Sequence, residues 1–177
     1  MAISHLKSAG ITSLDTVPVS INSAGEGGNG ILRHIAGSVT AVAADSIDTT
    51  YQFVRIPANA KVKHLYFESA AQTAGKVDLG VYFATDGNLQ KPTSLLAANA
   101  VDQDFFATAI DCASAVARAD QVNESGTNTA AKRNQPLWQA VGLTQDPGGY
   151  FDIVATVVTT AITTGTGIMT VECEYVV

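Results

Sequence analysis

The clearest alternation of apolar and polar residues in this chain occupies nine positions, Lys76-Val77-Asp78-Leu79-Gly80-Val81-Tyr82-Phe83-Ala84. In an extended strand, successive side chains point to opposite faces. The apolar face holds Val77, Leu79, Val81 and Phe83, and the other face holds Lys76, Asp78, Gly80 and Tyr82. The run therefore predicts a strand that places one face in a core.

Other strand-like runs lie on both sides of this one. They cover residues 39–44, 51–56, 62–69, 150–159 and 166–177. The last run alternates so that Cys173 falls on its core face, and turn residues follow most of the runs. Six or more short strands without alternating helices predict an all-β fold, an antiparallel β-sandwich or jelly-roll-like barrel.

The middle of the chain has a different composition. Residues 95–119 are rich in alanine and contain Phe105 and Phe106, which suggests a short helix or an irregular excursion. Residues 119–135 are polar and predict an exposed loop that is longer than a structural connection needs. This loop is a candidate for contacts with a partner.

The N-terminal region differs from the rest of the chain. Residues 23–30 are too rich in glycine to hold regular structure at low cost, whereas residues 13–21 have the composition of an extended segment. We therefore predict two parts, an extended N-terminal arm with a glycine-rich joint at 1–37 and a β-sandwich domain at 38–177.

Composition and charge exclude several classes of function. The 177 residues suit one domain, and the net charge of -6 includes no basic stripe that would neutralise nucleic-acid phosphates. We expect no nucleic-acid partner. No apolar run approaches the roughly 20 residues that span a bilayer, and no signal-peptide pattern is present, so we expect no membrane association and no export by the common route.

No motif for a cofactor or metal stands in a suitable context. Gly25, Gly27 and Gly30 satisfy G-x-G-x-x-G, but no strand–helix–strand unit surrounds them. The histidines His5, His34 and His64 are not at metal-ligand spacing. His64 and Glu68 share a strand face but lie roughly 13 Å apart along it. We expect no cofactor and no metal site.

Glu172 and Glu174 are the best candidates for catalysis, because they share a strand face about 6.8 Å apart. On the solvent side of a terminal strand such carboxylates are usually solvated or paired with cross-strand lysines, and Lys61, Lys63 or Lys76 could serve here. No nucleophile elbow exists, and neither Cys112 nor Cys173 has a histidine nearby in sequence. We predict that the protein is not an enzyme and that both thiols are reduced, although pairing of the cysteines stays open.

Several short segments in a fixed order resemble one family of proteins. They are Phe53-Val54-Arg55-Ile56-Pro57-Ala58-Asn59-Ala60-Lys61-Val62, Ala74-Gly75-Lys76-Val77-Asp78-Leu79-Gly80-Val81-Tyr82, Asp86-Gly87, Phe105-Phe106-Ala107, Pro136-Leu137-Trp138 and Asp146-Pro147-Gly148-Gly149-Tyr150. Residues 39–177 resemble tailed-phage structural proteins, some of which are capsid decoration or cement proteins. The resemblance does not extend to the first 38 residues.

The resemblance implies a capsid role. It implies a β-rich module, a homotrimer, that is made in the bacterial host cytoplasm and binds the outer surface of the expanded head. There it would clamp neighbouring subunits of the major capsid protein. The main alternative is a fibre or head-spike module that binds host-surface glycans through residues 119–135 and exposed tyrosines.

Two groups of residues are predicted to make contacts. The first is a capsid-docking arm, in which Leu14, Val17, Val19 and Ile21 add a strand to a neighbouring sheet edge and Arg33 and His34 make polar contacts. The second is a subunit interface formed by Tyr66, Tyr82 and Trp138, large aromatic residues of the type found in interfaces. Core packing is the competing interpretation for Trp138.

Overall fold

The structure is a computed structural model, and it describes residues 30–43, 45–84, 100–162 and 167–177. Eight strands and two short helical segments make up the described part. The strands are β1 (Leu32–Thr40), β2 (Thr50–Pro57), β3 (Lys61–Ser69), β4 (Lys76–Phe83), β5 (Ala100–Asp111), β6 (Val116–Asp120), β7 (Tyr150–Val158) and β8 (Ile168–Val176). A 3₁₀ turn covers Lys132–Asn134, and helix α1 covers Leu137–Ala140.

The strands form two four-stranded sheets. The order is β1-β8-β3-β6 in the first sheet and β2-β7-β4-β5 in the second. The six neighbouring pairs are all antiparallel. Successive strands change sheet at every connection except that between β4 and β5, which is the strand order of an eight-stranded jelly roll. The prediction of an all-β antiparallel sandwich of the jelly-roll type is confirmed.

The core fills the space between the sheets, and β8 shows how the pattern of the sequence produces it. Met169, Val171 and Cys173 are fully buried, while the alternate residues Thr170 and Glu172 are partly exposed. Cys173 lies on the core face as predicted, and burial raises the pKa of its thiol to about 12. Cys112 is also buried, and both cysteines are free.

Strand β5 corrects the expectation of a helix or irregular segment at 95–119. Leu79 of β4 lies opposite Ala107, and Val81 lies opposite Asp102, so the intervening residues of β5 bulge opposite Gly80. The bulge contains the consecutive fully buried residues Phe105 and Phe106, which pack edge to face. Consecutive buried aromatics break the period of two, and this explains why the sequence pattern failed to predict the strand.

Two residues of β4 accommodate the bulge. The Asp78 carboxylate accepts hydrogen bonds from Gln103 Nε2 (3.2 Å) and from the backbone N–H of Ala109 (2.7 Å). A Cβ atom at Gly80 would lie 2.2 Å from the Gln103 carbonyl oxygen and 2.3 Å from that of Asp102. Glycine is required at this position because the backbone of β5 passes directly over it.

Strand β1 begins earlier than the run predicted from sequence. It pairs with β8 from Leu32↔Val176 to Thr40↔Ile168. Residues 32–37, which the sequence analysis placed in the arm, therefore belong to the first sheet. Gly37 faces the second sheet, where an added Cβ would lie 2.1 Å from the Phe53 carbonyl oxygen. Of the arm, residues 1–29 lie outside the described part of the chain.

Gly80→Ala is expected to destabilise the domain by about 1–3 kcal/mol, because the new methyl group must displace the backbone of β5. Urea unfolding of the full-length protein measures this change. Ala36→Val adds more volume at an exposed position of β1 and should change the free energy of unfolding by less than about 0.5 kcal/mol. Equal stability of the Gly80→Ala protein and the original would contradict the role given to this glycine.

Candidate interaction surface

The two sheets differ in how much of their outer faces is accessible. In β7, residues 151–157 are all buried, so both faces of this central strand are covered within the chain. In β8, by contrast, the outward residues Thr170, Glu172 and Glu174 are partly exposed. The outer face of the first sheet is therefore the broad sheet surface that a partner can reach. We call it the outer face of sheet 1.

Glu172 lies at the centre of this surface and has partners on both sides. Arg118 of β6 donates from Nε (3.0 Å) and Nη2 (2.6 Å) to Glu172 Oε2. On the other side, His34 Nε2 of β1 lies 3.7 Å from the same oxygen. The hydrogen bonds from Arg118 lower the pKa of Glu172, and His34 contributes in the same direction. The carboxylate thus joins three strands as a charged group.

The partners of Glu172 differ from those considered from the sequence. Solvent or a lysine (Lys61, Lys63 or Lys76) was expected beside this carboxylate, whereas the structure pairs it with Arg118 and His34. Arg118 was not singled out, because it lies on β6, which the sequence pattern did not predict as a strand. The carboxylates of Glu172 and Glu174 lie on the solvent-facing side of β8 and are partly exposed.

Tyr66 of β3 extends the arrangement by stacking. Arg118 Cζ lies 3.6 Å from the centroid of the Tyr66 ring, which is a cation–π contact. The imidazole of His64 stacks on the same tyrosine, with ring centroids 5.8 Å apart and an interplanar angle of 10°. These contacts hold Tyr66 and Arg118 in defined positions on the surface.

Asp120 of β6 completes the network. His64 Nδ1 lies 2.6 Å from Asp120 Oδ2, and Asp120 Oδ1 accepts hydrogen bonds from the backbone N–H groups of Leu65 (3.2 Å) and Val122 (3.0 Å). Partial burial would raise the pKa of Asp120, but the hydrogen bonds from His64 and from the two backbone groups outweigh it and lower the pKa. Asp120 therefore fixes the loop after β6 to β3.

The outer face of sheet 1 is acidic as a whole. Its outward positions include the carboxylates of Glu68, Asp120, Glu172 and Glu174, together with the guanidinium of Arg118. The two imidazoles, His34 and His64, lie on either side of β8, opposite Glu174 in the registers of β1 and β3. Within the described residues, no group of three or more histidine, cysteine or carboxylate side chains is arranged to hold a metal ion.

The predicted contact residues fall in different environments. Leu14, Val17, Val19 and Ile21 lie outside the described residues. Arg33 and His34 are exposed in β1, and His34 contacts Glu172. Tyr66 is half-buried on the outer face of sheet 1.

The interface role predicted for Tyr82 needs correction. Its side chain is fully buried, and its hydroxyl forms a hydrogen bond with Thr156 Oγ1 (2.5 Å). Burial is the main cause that raises its pKa. The sequence pattern correctly put Tyr82 on the outward face of β4, but that face is covered within the chain. Tyr82 is therefore inaccessible to a second subunit.

Trp138 lies in α1 and is partly buried against the core. The backbone N–H groups of Leu137 and Trp138 donate to the carbonyl oxygens of Ala60 (2.8 Å) and Ala58 (3.2 Å). These bonds attach α1 to the turn between β2 and β3. Packing against the core, the competing interpretation for Trp138, agrees with this position.

Residues 119–135, predicted as an exposed loop, are more ordered than the sequence suggested. The segment contains the 3₁₀ turn and the buried residues Val122 and Asn128. Asn128 Nδ2 donates to the Val122 carbonyl oxygen (3.0 Å), and the hydroxyl of Ser125 donates to the Phe105 carbonyl oxygen (2.9 Å). Polar residues in this segment therefore satisfy backbone groups as well as facing solvent.

A partly buried ion pair lies on the second sheet. Arg55 of β2 donates from Nε (2.6 Å) and from Nη2 (2.9 Å) to the two carboxylate oxygens of Asp152 in β7. The Asp152 side chain is only 4% exposed, so a bidentate partner is needed to offset its desolvation. The two residues lie opposite each other in the strand register. We interpret this pair as a structural link between β2 and β7.

Comparison with known proteins shows a likeness in fold. The chain matches no protein-family model and no curated protein. It is similar to a chain in the structure titled "Cyanophage Pam1 capsid asymmetric unit", with a TM-score of 0.51, 14% identity and coverage of 92% of this chain and 96% of that chain. A weaker similarity, with a TM-score of 0.34 and 10% identity, is to a chain of "Acidic stable capsid structure of Helicobacter pylori bacteriophage KHP30".

The fold class that follows is a jelly-roll β-sandwich. At 14% identity the first similarity establishes shared architecture alone. Because that match spans nearly all of both chains, the two proteins share the whole jelly roll rather than a part of it. Within the described residues, no helix is long and apolar enough to cross a membrane.

Asp120→Asn is expected to reduce stability at pH 7 by about 1 kcal/mol, because hydrogen bonds to an ionised acceptor are lost. A carboxyl group whose pKa is lowered by folding stabilises the native state above its unfolded pKa, about 3.9, and loses this effect as the pH falls through the folded value. The difference between the variant and the original should therefore shrink below about pH 4. Urea unfolding from pH 3 to 7 measures it.

Glu68→Gln is the matched control for this experiment, since it neutralises an exposed carboxylate of β3 that lies, like Asp120, on the outer face of sheet 1. We expect little change in stability from it at any pH. A stability difference for Asp120→Asn that is constant from pH 3 to 7 would contradict the assigned contacts of Asp120.

Proposed function

We propose that this protein is a structural component of a bacteriophage virion. The observation that supports this most is the likeness over 92% of the chain to a protein of nearly the same extent in a phage capsid asymmetric unit. The order of short sequence segments that resembles tailed-phage structural proteins supports the same assignment independently. The proposal assigns the chain no catalytic residue, no metal and no cofactor.

Within this class, we infer a capsid decoration or cement protein. It binds the outer surface of the expanded head and clamps neighbouring subunits of the major capsid protein. A sandwich in which the central strand β7 of the second sheet is covered on both faces, while the first sheet is open on its outer face, suits this role, because it offers one broad surface for docking. The negative charge of the chain, -6, favours a protein surface as the partner over nucleic acid.

The arm is proposed to make the second contact with the capsid. It precedes β1, which is an edge strand of the first sheet. Leu14, Val17, Val19 and Ile21 are proposed to add a strand to the edge of a neighbouring sheet. Arg33 and His34, at the beginning of β1, are proposed to make polar contacts beside it.

Stabilisation of the shell then follows from mass action. A protein that binds the expanded capsid lattice more tightly than the precursor lattice shifts the equilibrium between the two lattices towards the expanded one. The size of the shift is set by the difference between the two affinities. Repetition over many copies, and two linked contacts in each copy, make weak individual contacts effective. A homotrimer, with Tyr66 and Trp138 as candidate subunit contacts, would increase this effect.

The arm is tested by comparing the full-length protein with a shortened protein that starts at Gly30. A start at Ser38 would remove six residues of β1 and so damage the first sheet. Both proteins are mixed with expanded heads that lack them, binding is measured by co-sedimentation, and the temperature of DNA release is recorded. We expect the full-length protein alone to bind and to raise the release temperature.

Other results of this test lead to different conclusions. Equal binding of both proteins would remove the docking role of the arm and leave the cement assignment intact. If neither protein binds heads, the cement assignment is wrong. Binding of the full-length protein to host-surface polysaccharide would then support the glycan-binding alternative.

A second test concerns the outer face of sheet 1. Glu172→Lys reverses the charge at the centre of this face and should weaken binding to heads at least tenfold. The lysine cannot make the contacts of Glu172 with Arg118 and His34, and its charge repels the guanidinium of Arg118. Asp146→Lys makes the same charge change in the exposed loop after α1 and should leave binding within about twofold. Equal binding by both variants would exclude this face from the interface.

A further inference from the structure

A cleft of about 280 Å³ lies on the outer face of sheet 1, at the end of β3 that is farther from the contact between His64 and Asp120. We call it the Ile168 cleft. It adjoins the ordered contacts of Glu172, because Thr170 lines the cleft and lies two residues before Glu172 on the same face of β8. Strands β3, β6 and β8 contribute to it, and the lining residues are Glu68, Ser69, Ala70, Val116, Ile168 and Thr170.

The register of the strands places four of these residues on one side of the sheet. Glu68 lies opposite Thr170, and the backbone N–H of Ala70 donates to the carbonyl oxygen of Ile168 (2.9 Å). Residues two apart on a strand share a face, so both pairs belong to the outer face. Ile168 is 56% exposed, and Glu68 and Ala70 are exposed as well. A partner can therefore reach an apolar surface and a carboxylate side by side.

Glu68 is the single charged residue among those that line the cleft. Elsewhere on this face, Glu172 accepts hydrogen bonds from Arg118, and Asp120 contacts His64. In the part of the chain that the structure describes, no hydrogen bond or ion pair joins the Glu68 side chain to another residue. The carboxylate of Glu68 is therefore available to a cation that a partner supplies.

We propose that the Ile168 cleft receives a lysine or arginine side chain of the protein partner of this chain. Both side chains have a long apolar stem, which packs along apolar surface, and a cationic end that forms charge-assisted hydrogen bonds with carboxylates. In the cleft the stem lies against Ile168 and Ala70, and the cationic end reaches the carboxylate of Glu68. That the partner is the capsid rests on the proposed function, whereas the cationic chemistry rests on the residues of the cleft.

The charge of the surrounding surface and the size of the cleft favour this occupant. The outward carboxylates of sheet 1 outnumber its one guanidinium, that of Arg118, so a partner that covers this face gains from cationic residues. Pockets for small molecules usually measure about 300–1,000 Å³, and this cleft is smaller than most of them. A side chain carried by a docked protein therefore suits it better than a separate ligand.

The test is an NMR titration of the full-length protein, at about 0.15 M salt, with a capped peptide that has one lysine between glycines. The same peptide with the lysine acetylated is the ligand control, since acetylation keeps the stem and removes the charge. We expect saturable shifts of the resonances of Glu68 and Ile168 and a Kd of roughly 1–10 mM for the lysine peptide. The acetylated peptide should bind about threefold more weakly. A peptide with arginine in place of lysine shows which of the two side chains fits the cleft better.

The variants separate a specific cleft from general charge. Glu68→Gln and Ile168→Ser should each weaken binding of the lysine peptide about threefold, because the first removes the charge and the second the apolar surface. Glu174→Gln removes the same charge from the same face, roughly 13 Å along β8 from Thr170. This distance exceeds the screening length of about 8 Å, so the Kd should change less than about 1.5-fold. Thermal unfolding confirms that each variant is folded, and either cleft variant suffices if the other fails to fold.

Several results would overturn the proposal. They are equal binding of the acetylated peptide, an equal loss of affinity in Glu174→Gln, or no saturable binding of either the lysine or the arginine peptide. Tighter binding of a neutral glucose oligomer than of the lysine peptide, with shifts at the same residues, would assign the cleft to a glycan instead.

Binding to expanded heads tests the capsid as the source of the cationic side chain. Glu68→Gln should weaken this binding about threefold, and Asp146→Asn, which removes the same charge from the loop after α1, less than about 1.5-fold. Equal binding of heads by Glu68→Gln and the original protein would exclude the capsid as that source. If the lysine peptide binds as expected but the original protein does not bind heads, the cleft stands and the capsid assignment fails.

Discussion

The register of β8 determines both the core and the exposed surface of this domain. Its backbone pairs with β1 on one side and with β3 on the other, so its register determines which residues of these two neighbouring strands face the core. Met169, Val171 and Cys173 point into the core, and Glu172 and Glu174 point outward. A shift of one residue would exchange these sets and bury two carboxylates, which makes the register strongly specified.

The second sheet has a different role, because its central strand β7 is covered on both faces. Asp152 and Thr156 lie on the outward face of β7 and are buried, yet each has a polar partner, Arg55 and Tyr82 respectively. Their pairing satisfies the rule that buried polar groups are hydrogen-bonded. The outer face of this sheet is covered along β4 and β7, whereas the outer face of the first sheet is open across its width, and the functional proposals follow from this asymmetry.

Side chains on the exposed sheet are ordered before any partner binds. Arg118 is held by Glu172 and by the ring of Tyr66, and His64 by Asp120 and by the same ring. Each exposed contact is weak in isolation, but together they lower the entropy that the surface loses on binding. An ordered face of this kind is already arranged for a partner surface of complementary charge.

The sequence alone determined the all-β class, five of the eight described strands (β2, β3, β4, β7 and β8) and the core position of Cys173, because these depend on the period-two alternation of local side chains. It located only the last two residues of β1. It did not reveal β5, since the bulge opposite Gly80 and the consecutive residues Phe105 and Phe106 break that period. It did not reveal β6 either, a strand of five residues of which four are exposed. Only the tertiary structure decided that Tyr82 is buried and that Glu172 pairs with Arg118 and His34. Those outcomes depend on which strands become neighbours and which sheet face is covered, and both are set by contacts between residues far apart in the chain.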